Sequence, residues 1–364
     1  MVKAAYPLNG ICPYFTMFPL EFPLSVLRNR AKQGDSLLDP FCGRGTSNFA
    51  ARILGLHSVG IDSSSVAVAI TEAKLVSAHP SDIVNTAISI LDDRDPNVIP
   101  SGDFWNLAYH PDVLKSLCKL REAFLEDCNS PSRKALRGII LGALHGPRQK
   151  TIQSYFSNQC LRTYAPKPGY AVSYWKKNGL VPERVDVLDV IANRACRYYE
   201  TDYDSSGKAC NGDSRDSESI RELCNGRKFN WIVTSPPYYG MRTYVPDQWL
   251  RSWFLGGSDT VDYSNAGQVS HSSSASFSQD LRMVWKNSKS VAADNAKLVV
   301  RFGGISTRSV SSRRIMEESV SGSGWSLSKI RKAGTASKGK RQADSFLRKR
   351  SKPIEEFDYW LINK

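Results

Sequence analysis

Along the chain, short apolar runs bounded by glycine, proline and acids alternate with stretches whose apolar positions recur every three or four residues. These two periods separate buried strands from amphipathic helices. Asp35–Asp39 (DSLLD) reads as a brief buried strand running into Pro40-Phe41-Cys42-Gly43-Arg44-Gly45-Thr46, and Ser47–Leu54 then sets Phe49, Ile53 and Leu54 at helical spacing. A second strand, His57–Asp62 (HSVGID), ends in an acid and precedes Ser63–Ser77, where Val66, Ala69, Ile70, Ala73 and Val76 mark another helix. This strand-helix-strand-helix opening predicts a parallel sheet with covered faces, because parallel neighbours need crossover helices that lie against the sheet.

Two more buried strands come late, at Phe229–Thr234 (FNWIVT) and Lys297–Phe302 (KLVVRF), and Phe357–Ile362 (FDYWLI) predicts an antiparallel edge strand. Between about Ser81 and Asp204 the pattern is helical at Val113–Leu125, Arg133–Leu144 and Val185–Tyr199, broken by Gly146-Pro147 and Pro166-Lys167-Pro168-Gly169. Gly256–Ser278, rich in Gly and Ser, predicts a mobile loop over a site or a linker. The expected fold is therefore α/β: a doubly wound, mostly parallel sheet with a largely helical insertion. Residues 1–80 form its first half, 81–204 the insertion and 205–364 the second half with a basic tail.

A chain of 364 residues that is 41% hydrophobic buries a full core, which argues against disorder. No window reaches the roughly 18 apolar residues of a membrane helix, and Met1–Leu24 is interrupted by Pro7, Pro13, Pro19, Glu21 and Pro23, so neither a membrane span nor a signal peptide is expected. Eight cysteines without a CxxC pair or interleaved histidines point to free thiols in a reducing cytoplasm and away from a structural metal site. The net charge of +14 changes the picture more. Residues 301–352 hold fourteen Lys and Arg against Glu317, Glu318 and Asp344, so eleven of those net charges sit there. A run this one-sided repels itself, and nucleic acid is the first partner to consider.

The Gly43-Arg44-Gly45 turn between strand and helix lets backbone approach a ligand, and the helix start then offers unpaired N–H groups. Asn48 stands where the dinucleotide fingerprint wants a third glycine, which lowers the case for hydride transfer. Asp62, at the tip of the second strand, is placed to take the two ribose hydroxyls of a nucleoside, or simply to cap the following helix. Thr234-Ser235-Pro236-Pro237-Tyr238-Tyr239-Gly240 follows the strand Phe229–Val233. Consecutive prolines stiffen that turn and donate no hydrogen bonds, so the Ser235 hydroxyl and the Pro236 carbonyl can act as acceptors beside the flat face of Tyr238. Two acceptors gripping an exocyclic base amine favour a pyramidal nitrogen and free its lone pair for attack. Tyr238 can stack on a base drawn out of its duplex.

DPFCGRGT (39–46) and TSPPY (234–238) resemble motifs I and IV of the S-adenosylmethionine-dependent amino-methyltransferases of DNA, which make N4-methylcytosine or N6-methyladenine. The resemblance covers Tyr14–Ser77 and Ala209–Phe302 and implies a Rossmann-like methyltransferase sheet. By it, Asp39, Phe41, Gly43, Gly45, Thr46 and Asp62 contact the cofactor, Asp213 of NGDSR binds its adenine amino group, and Tyr14, Thr16 and Phe18 line its methionine end. Ser235, Pro236, Pro237 and Tyr238 are the implied catalytic set, with no metal. The serine form of motif IV favours cytosine N4, with adenine N6 as the alternative. The order of the motifs departs from the commonest N4 arrangement, where the SPPY block comes first.

The implied partner is double-stranded DNA, with a cognate restriction enzyme or alone, in a prokaryotic cytoplasm and on the nucleoid. An RNA methyltransferase of the tRNA guanine-N2 type shares the motif order but usually carries an RNA-capture domain ahead of the catalytic one. Here the glycine motif begins within the first forty residues or so. A non-catalytic nucleic-acid binder would be expected to show damage in the glycine turn or the SPPY acceptors, and neither is damaged. For the target strand, Arg148–Lys177 interleaves cations with Tyr155, Phe156, Tyr164, Tyr170, Tyr174 and Trp175, the materials of a nucleic-acid groove or of an ordinary core. Arg242, Tyr244 and Trp249 follow the SPPY turn and are expected to border the base pocket.

Overall fold

The computed structural model describes residues 6–13, 18–147, 154–157, 159, 167–201, 203, 207–240, 248–261, 273–304, 310–335 and 355–363. The chain divides into two compact units, one built on a sheet and one helical.

The sheet unit comprises Phe15–Thr71, Asp204–Thr243 and Ala266–Lys364. Its strands are β1 (Ser36–Asp39), β2 (His57–Asp62), β3 (Gly207–Asn211), β4 (Phe229–Thr234), β5 (Ala292–Gly303), β6 (Trp325–Thr335) and β7 (Glu355–Asn363), in the spatial order β3-β2-β1-β4-β5-β7-β6. From β3 to β5 all neighbours are parallel, whereas β7 runs antiparallel to both β5 and β6. The chain moves outward from β1 to β3 and then returns to the other side of β1 with β4. Such a reversal opens a crevice at the carboxyl ends of the two central strands, where open α/β sheets bind ligands.

Leu37, Leu38, Ile232 and Val233 are fully buried, as expected of central strands covered on both faces. On one face the helices Ser217–Cys224, Ser274–Ser290 and Ser312–Val320 bring Ile220, Phe277, Trp285 and Met316 against Ile232, Leu298, Val300 and Tyr359. Strand alternation turns Arg301 of β5 to the opposite face. There it clasps Asp358 of β7 with two hydrogen bonds of 2.8 and 2.9 Å, and its guanidinium lies 4.0 Å from the Phe22 ring of the helix Glu21–Leu27.

The doubly wound, mostly parallel sheet agrees with the sequence pattern, as do the antiparallel final strand and the helices flanking β2. Two strands had no apolar signal. β3 (GKACN) is an edge strand with no fully buried residue, and β6 carries Lys329, Arg331 and Lys332 outward from the other edge. A strand that buries little needs no apolar run. Within the Gly/Ser-rich stretch, 262–272 lies outside the described residues. The helix from Ser274 begins inside that stretch, capped by Ser273 Oγ, which accepts from Ser276 N at 3.0 Å.

The helical unit comprises Met1–Tyr14, Glu72–Tyr203 and Tyr244–Asn265. Proline opens the helices Pro80–Asp92, Pro111–Glu126, Pro131–Ala143 and Pro168–Lys177, the first-turn position where its missing N–H costs nothing. Gly142 permits the closest packing here, since a Cβ would stand 2.1 Å from the Ile11 carbonyl oxygen. Trp105, Trp175, Trp249 and Trp253 are buried in this unit's core. No helix among the described residues is long and apolar enough to cross a membrane.

Gly45 sits at φ +70°, where an added Cβ would meet Thr71 Cγ2 at 2.6 Å. Gly45→Ala is expected to cost on the order of 1–3 kcal/mol, read as a lower urea midpoint. An unchanged midpoint would mean the corner tolerates a side chain.

Candidate active site

β1 ends at Asp39, which is completely buried. Its Oδ1 accepts from the Phe41 amide at 3.1 Å and from the Thr234 hydroxyl at 2.6 Å. Thr234 is the last residue of β4, so this one bond ties the glycine corner to the diproline corner. The chain then turns through Gly43 and Gly45, both at positive φ, before the helix Thr46–Ile53. Thr71 Oγ1 donates to the Gly43 carbonyl at 3.0 Å and fixes the turn from below.

Asp62 closes the next side. Its Oδ2 accepts from Gly43 N and its Oδ1 from Ser64 N, each at 2.9 Å. The carboxylate thus braces the glycine turn as well as starting the following helix. Burial raises the Asp62 carboxyl above its ordinary range despite these two bonds. Its carbonyl accepts from Gly212 N at 3.1 Å, which draws the segment after β3 to the same edge. Beyond it, Ser214 Oγ donates to the Pro40 carbonyl at 2.9 Å. Asp213 is held by Arg215, whose Nη2 lies 2.6 Å from its Oδ2, while Arg215 Nη1 reaches Asp280 at 3.1 Å. That guanidinium keeps the Asp213 carboxyl below the usual range.

At the β4 corner Pro236 is buried, while Ser235, Pro237 and Tyr238 are half-buried. The Tyr238 ring meets Phe302 edge-on at 5.4 Å, and its hydroxyl donates to Glu356 Oε1 at 2.8 Å. Burial first, and then the Glu356 carboxylate, push the Tyr238 phenol well above its ordinary range. Gly303, opposite Glu356 in the β5–β7 ladder, leaves room for this pair: a Cβ there would stand 3.0 Å from Glu356 Cγ and 3.3 Å from Tyr238 Cε2.

The structure therefore brings Asp39, Phe41, Gly43, Gly45, Thr46, Asp62, Asp213 and Ser235–Tyr238 to one edge of the sheet. Phe18 packs edge-on against Phe22 at 5.3 Å. Tyr14 and Thr16 lie outside the described residues, as do Arg242 and Tyr244. Trp249 is 5% exposed and packs against Phe104 and Trp105 of the helical unit. Sequence reasoning missed Glu356, Thr71 and Arg215. Arg215 closes the NGDSR motif but was given no role there, Thr71 carried no motif signal, and Glu356 reaches Tyr238 only because β7 folds back beside β5.

A nucleoside sulfonium with an amino-acid tail asks for acceptors near its amine and for backbone without side chains near its body. Asp39 Oδ2 is buried with no hydrogen-bond partner, and the Gly43–Gly45 turn leaves the backbone bare. The residues present fit the group.

A doubly wound sheet with a glycine turn at its switch point and an acid ending β2 is a Rossmann-like architecture, the one S-adenosylmethionine-dependent methyltransferases are built on. Residues 5–73 match the family model of the N6/N4 methylases, described as DNA methylase. The likeness to the DNA amino-methyltransferases holds over that stretch, and S-adenosylmethionine is the cofactor. The diproline corner lies beyond it. Similar solved structures include the rRNA methyltransferase AviRa from Streptomyces viridochromogenes, at 11% identity and a TM-score of 0.41, covering 99% of this chain and 91% of that one. A SAM-dependent methyltransferase from Methanosarcina mazei matches at 9% identity and a TM-score of 0.34, with 96% and 99% covered. TrmN from Thermus thermophilus matches at 9% and 0.37, with 100% and 53% covered. No curated protein matches the sequence.

Burial raises the Asp39 carboxyl from 3.8 to about 6, against the pull of the Thr234 hydroxyl and the Phe41 amide. Below about pH 4 folded and unfolded chains both keep this proton. Between about pH 4 and 6 the folded chain binds more of it, so the free protein loses up to about 3 kcal/mol as pH rises. Asp39→Asn is expected to remove that share, read as a smaller fall in urea stability from pH 4 to 7 than in the unsubstituted protein. Equal falls would show that Asp39 does not titrate in this way.

Proposed function

We propose that this methyltransferase acts on an exocyclic base amine in double-stranded DNA, with cytosine N4 as the favoured target. The observation that carries the reading is the 2.6 Å bond from Thr234 Oγ1 to Asp39 Oδ1, which holds the cofactor corner and the SPPY corner together. Had the two corners faced opposite sides of the sheet, a bound methyl donor would never have met a bound base.

When bound, S-adenosylmethionine supplies a methyl group already activated by the sulfonium charge. The protein's work is then positioning, and a held near-attack geometry supplies a large share of the barrier. In this reading the bare Gly43–Gly45 backbone and Thr46 receive the cofactor's body and Asp39 Oδ2 takes its amine. Asp62, already bound to two amides, offers its remaining lone pairs to the ribose, and Asp213 turns from Arg215 toward the adenine. Phe41 packs alongside, and Phe18 flanks the methionine end. On the other side the Ser235 hydroxyl and Pro236 carbonyl accept from the target amine, Pro237 stiffens the turn, and Tyr238 is the stacking ring. Glu356 sets that ring's orientation, so it is a positioning residue. DNA as substrate is supported by the methylase match over 5–73 and by the net charge of +14.

Tritiated methyl transfer to unmethylated duplex DNA, followed by nucleoside analysis, is expected to place label in N4-methylcytosine. Label in N6-methyladenine would move the target, and label in RNA alone would reject DNA. Ser235→Ala and Tyr238→Ala are each expected to lower kcat about 100-fold or more with cofactor affinity nearly unchanged. Equal loss of cofactor affinity in both would mean that the SPPY corner is not the base pocket. Glu356→Ala is expected to lower kcat while Glu356→Gln, which still accepts from the Tyr238 hydroxyl, largely restores it. Equal damage by both would reject the positioning role.

A further inference from the structure

Away from the crevice, the sheet unit carries a group of cations that no acid among the described residues neutralises. Lys329 Nζ lies 4.6 Å from the centroid of the Trp360 ring, with the guanidinium carbons of Arg30 at 5.3 Å and Arg331 at 5.7 Å from the same ring. Lys297 Nζ stands 5.1 Å from the Trp231 ring. Strand register explains the gathering. Lys329 pairs with Trp360, Arg331 with Asp358 and Lys297 with Ile362, so the three lysine and arginine positions flank one face of β7. Arg30 joins from the turn after the helix Glu21–Leu27, its Nη1 donating to the Ser25 and Val26 carbonyls at 2.7 and 3.2 Å.

The nearby acids are already engaged. Asp358 faces Arg331 across the β6–β7 ladder, but Arg301 holds both its oxygens. Asp35 accepts from Trp231 Nε1 and Lys32 N, each at 2.9 Å, and Glu355 lies 3.5 Å from Lys332. Among the described residues Arg30, Lys297, Lys329 and Arg331 form no ion pair. After desolvation, repulsion from Arg331, Arg30 and Lys297 lowers the Lys329 ammonium, so the four charges feel one another. One indole face cannot compensate three cations, and the Trp360 Nε1 beneath them is itself a buried donor without a partner.

The extent of the cluster selects the kind of anion. The ladder positions of Lys297 and Arg331 are four residue steps apart, from Ile362 to Asp358, about 14 Å of backbone along an antiparallel strand. Three of the cations gather at Trp360, and Lys297 lies over Trp231 two strands away, so the group offers neighbouring anion sites of the kind successive phosphates of a nucleic-acid strand would occupy. Glu356, Asp358 and Trp360 lie on the same face of β7, so the strand that carries the cluster is also the one that holds Tyr238 through Glu356.

We propose that this face, Arg30, Lys297, Lys329 and Arg331 around Trp360, binds the phosphate backbone of duplex DNA flanking the target base. The assignment rests on the reading above that DNA is the substrate. Lys329 and Arg331 are exposed on the edge strand and outside the catalytic set, which suits them for the test. Lys329→Gln with Arg331→Gln is expected to weaken binding of an unmethylated duplex. It should also make the plot of log affinity against log salt shallower by about 0.9 for each phosphate that is no longer neutralised. The KM for DNA should rise, with kcat at saturating DNA and cofactor affinity kept. Lys329→Arg with Arg331→Lys, which preserves the charge, is expected to retain the slope. An unchanged slope in a folded glutamine variant that still methylates DNA would overturn the patch while leaving the proposed function standing. Should the unsubstituted protein methylate RNA alone, the DNA reading and this surface would fall together.

Discussion

The hydrogen bond between the Thr234 hydroxyl and the Asp39 carboxylate, buried at the point where the strand order reverses, is the interaction on which the rest depends. It joins the ends of two parallel neighbours that lie nearly two hundred residues apart in sequence. Asp39 carries a real cost in that position, since burial raises its carboxyl to about 6. The cost is tolerated because the carboxylate organises two things together: the Phe41 amide at the start of the glycine turn and the end of β4.

Around this bond the corners brace one another through backbone groups. Asp62 holds Gly43, Gly212 holds the Asp62 carbonyl, and Ser214 holds Pro40. Each link runs from the end of one strand to the turn after another, so the crevice is shaped by the ladder beneath it. The antiparallel end of the sheet extends the same logic. By returning beside β5, β7 brings Glu356 to Tyr238 and Asp358 to Arg301, and through Arg301 it reaches the Phe22 helix that follows the N-terminal aromatic segment.

The interleaved aromatic and basic stretch at 148–177 separates into two populations. Phe156 and Trp175 are buried in the helical unit's core, Trp175 beside Phe104. Tyr170 and Tyr174 lie exposed and stacked, 6.4 Å apart, on the helix Pro168–Lys177. Composition alone treats these rings alike. Which face of the helix meets the core separates them, and that depends on partners far away in sequence.

Much of this protein was legible from its residues. Strands buried on both faces must be continuously apolar, so β1, β2, β4 and the centre of β5 announced themselves. Turns that need positive φ favour glycine, so Gly43 and Gly45 marked the turn after β1, and consecutive prolines marked the end of β4. Edge strands bury little, which is why β3 and β6 passed unseen, and a side chain reaching across a ladder has no local signature, which hid Glu356 and the cation cluster around Trp360. The chain's local chemistry determined which corners exist and what each can bind. Only the tertiary structure decided that they meet, because strand order and register are settled by long-range burial and backbone pairing, to which no short stretch of sequence contributes alone.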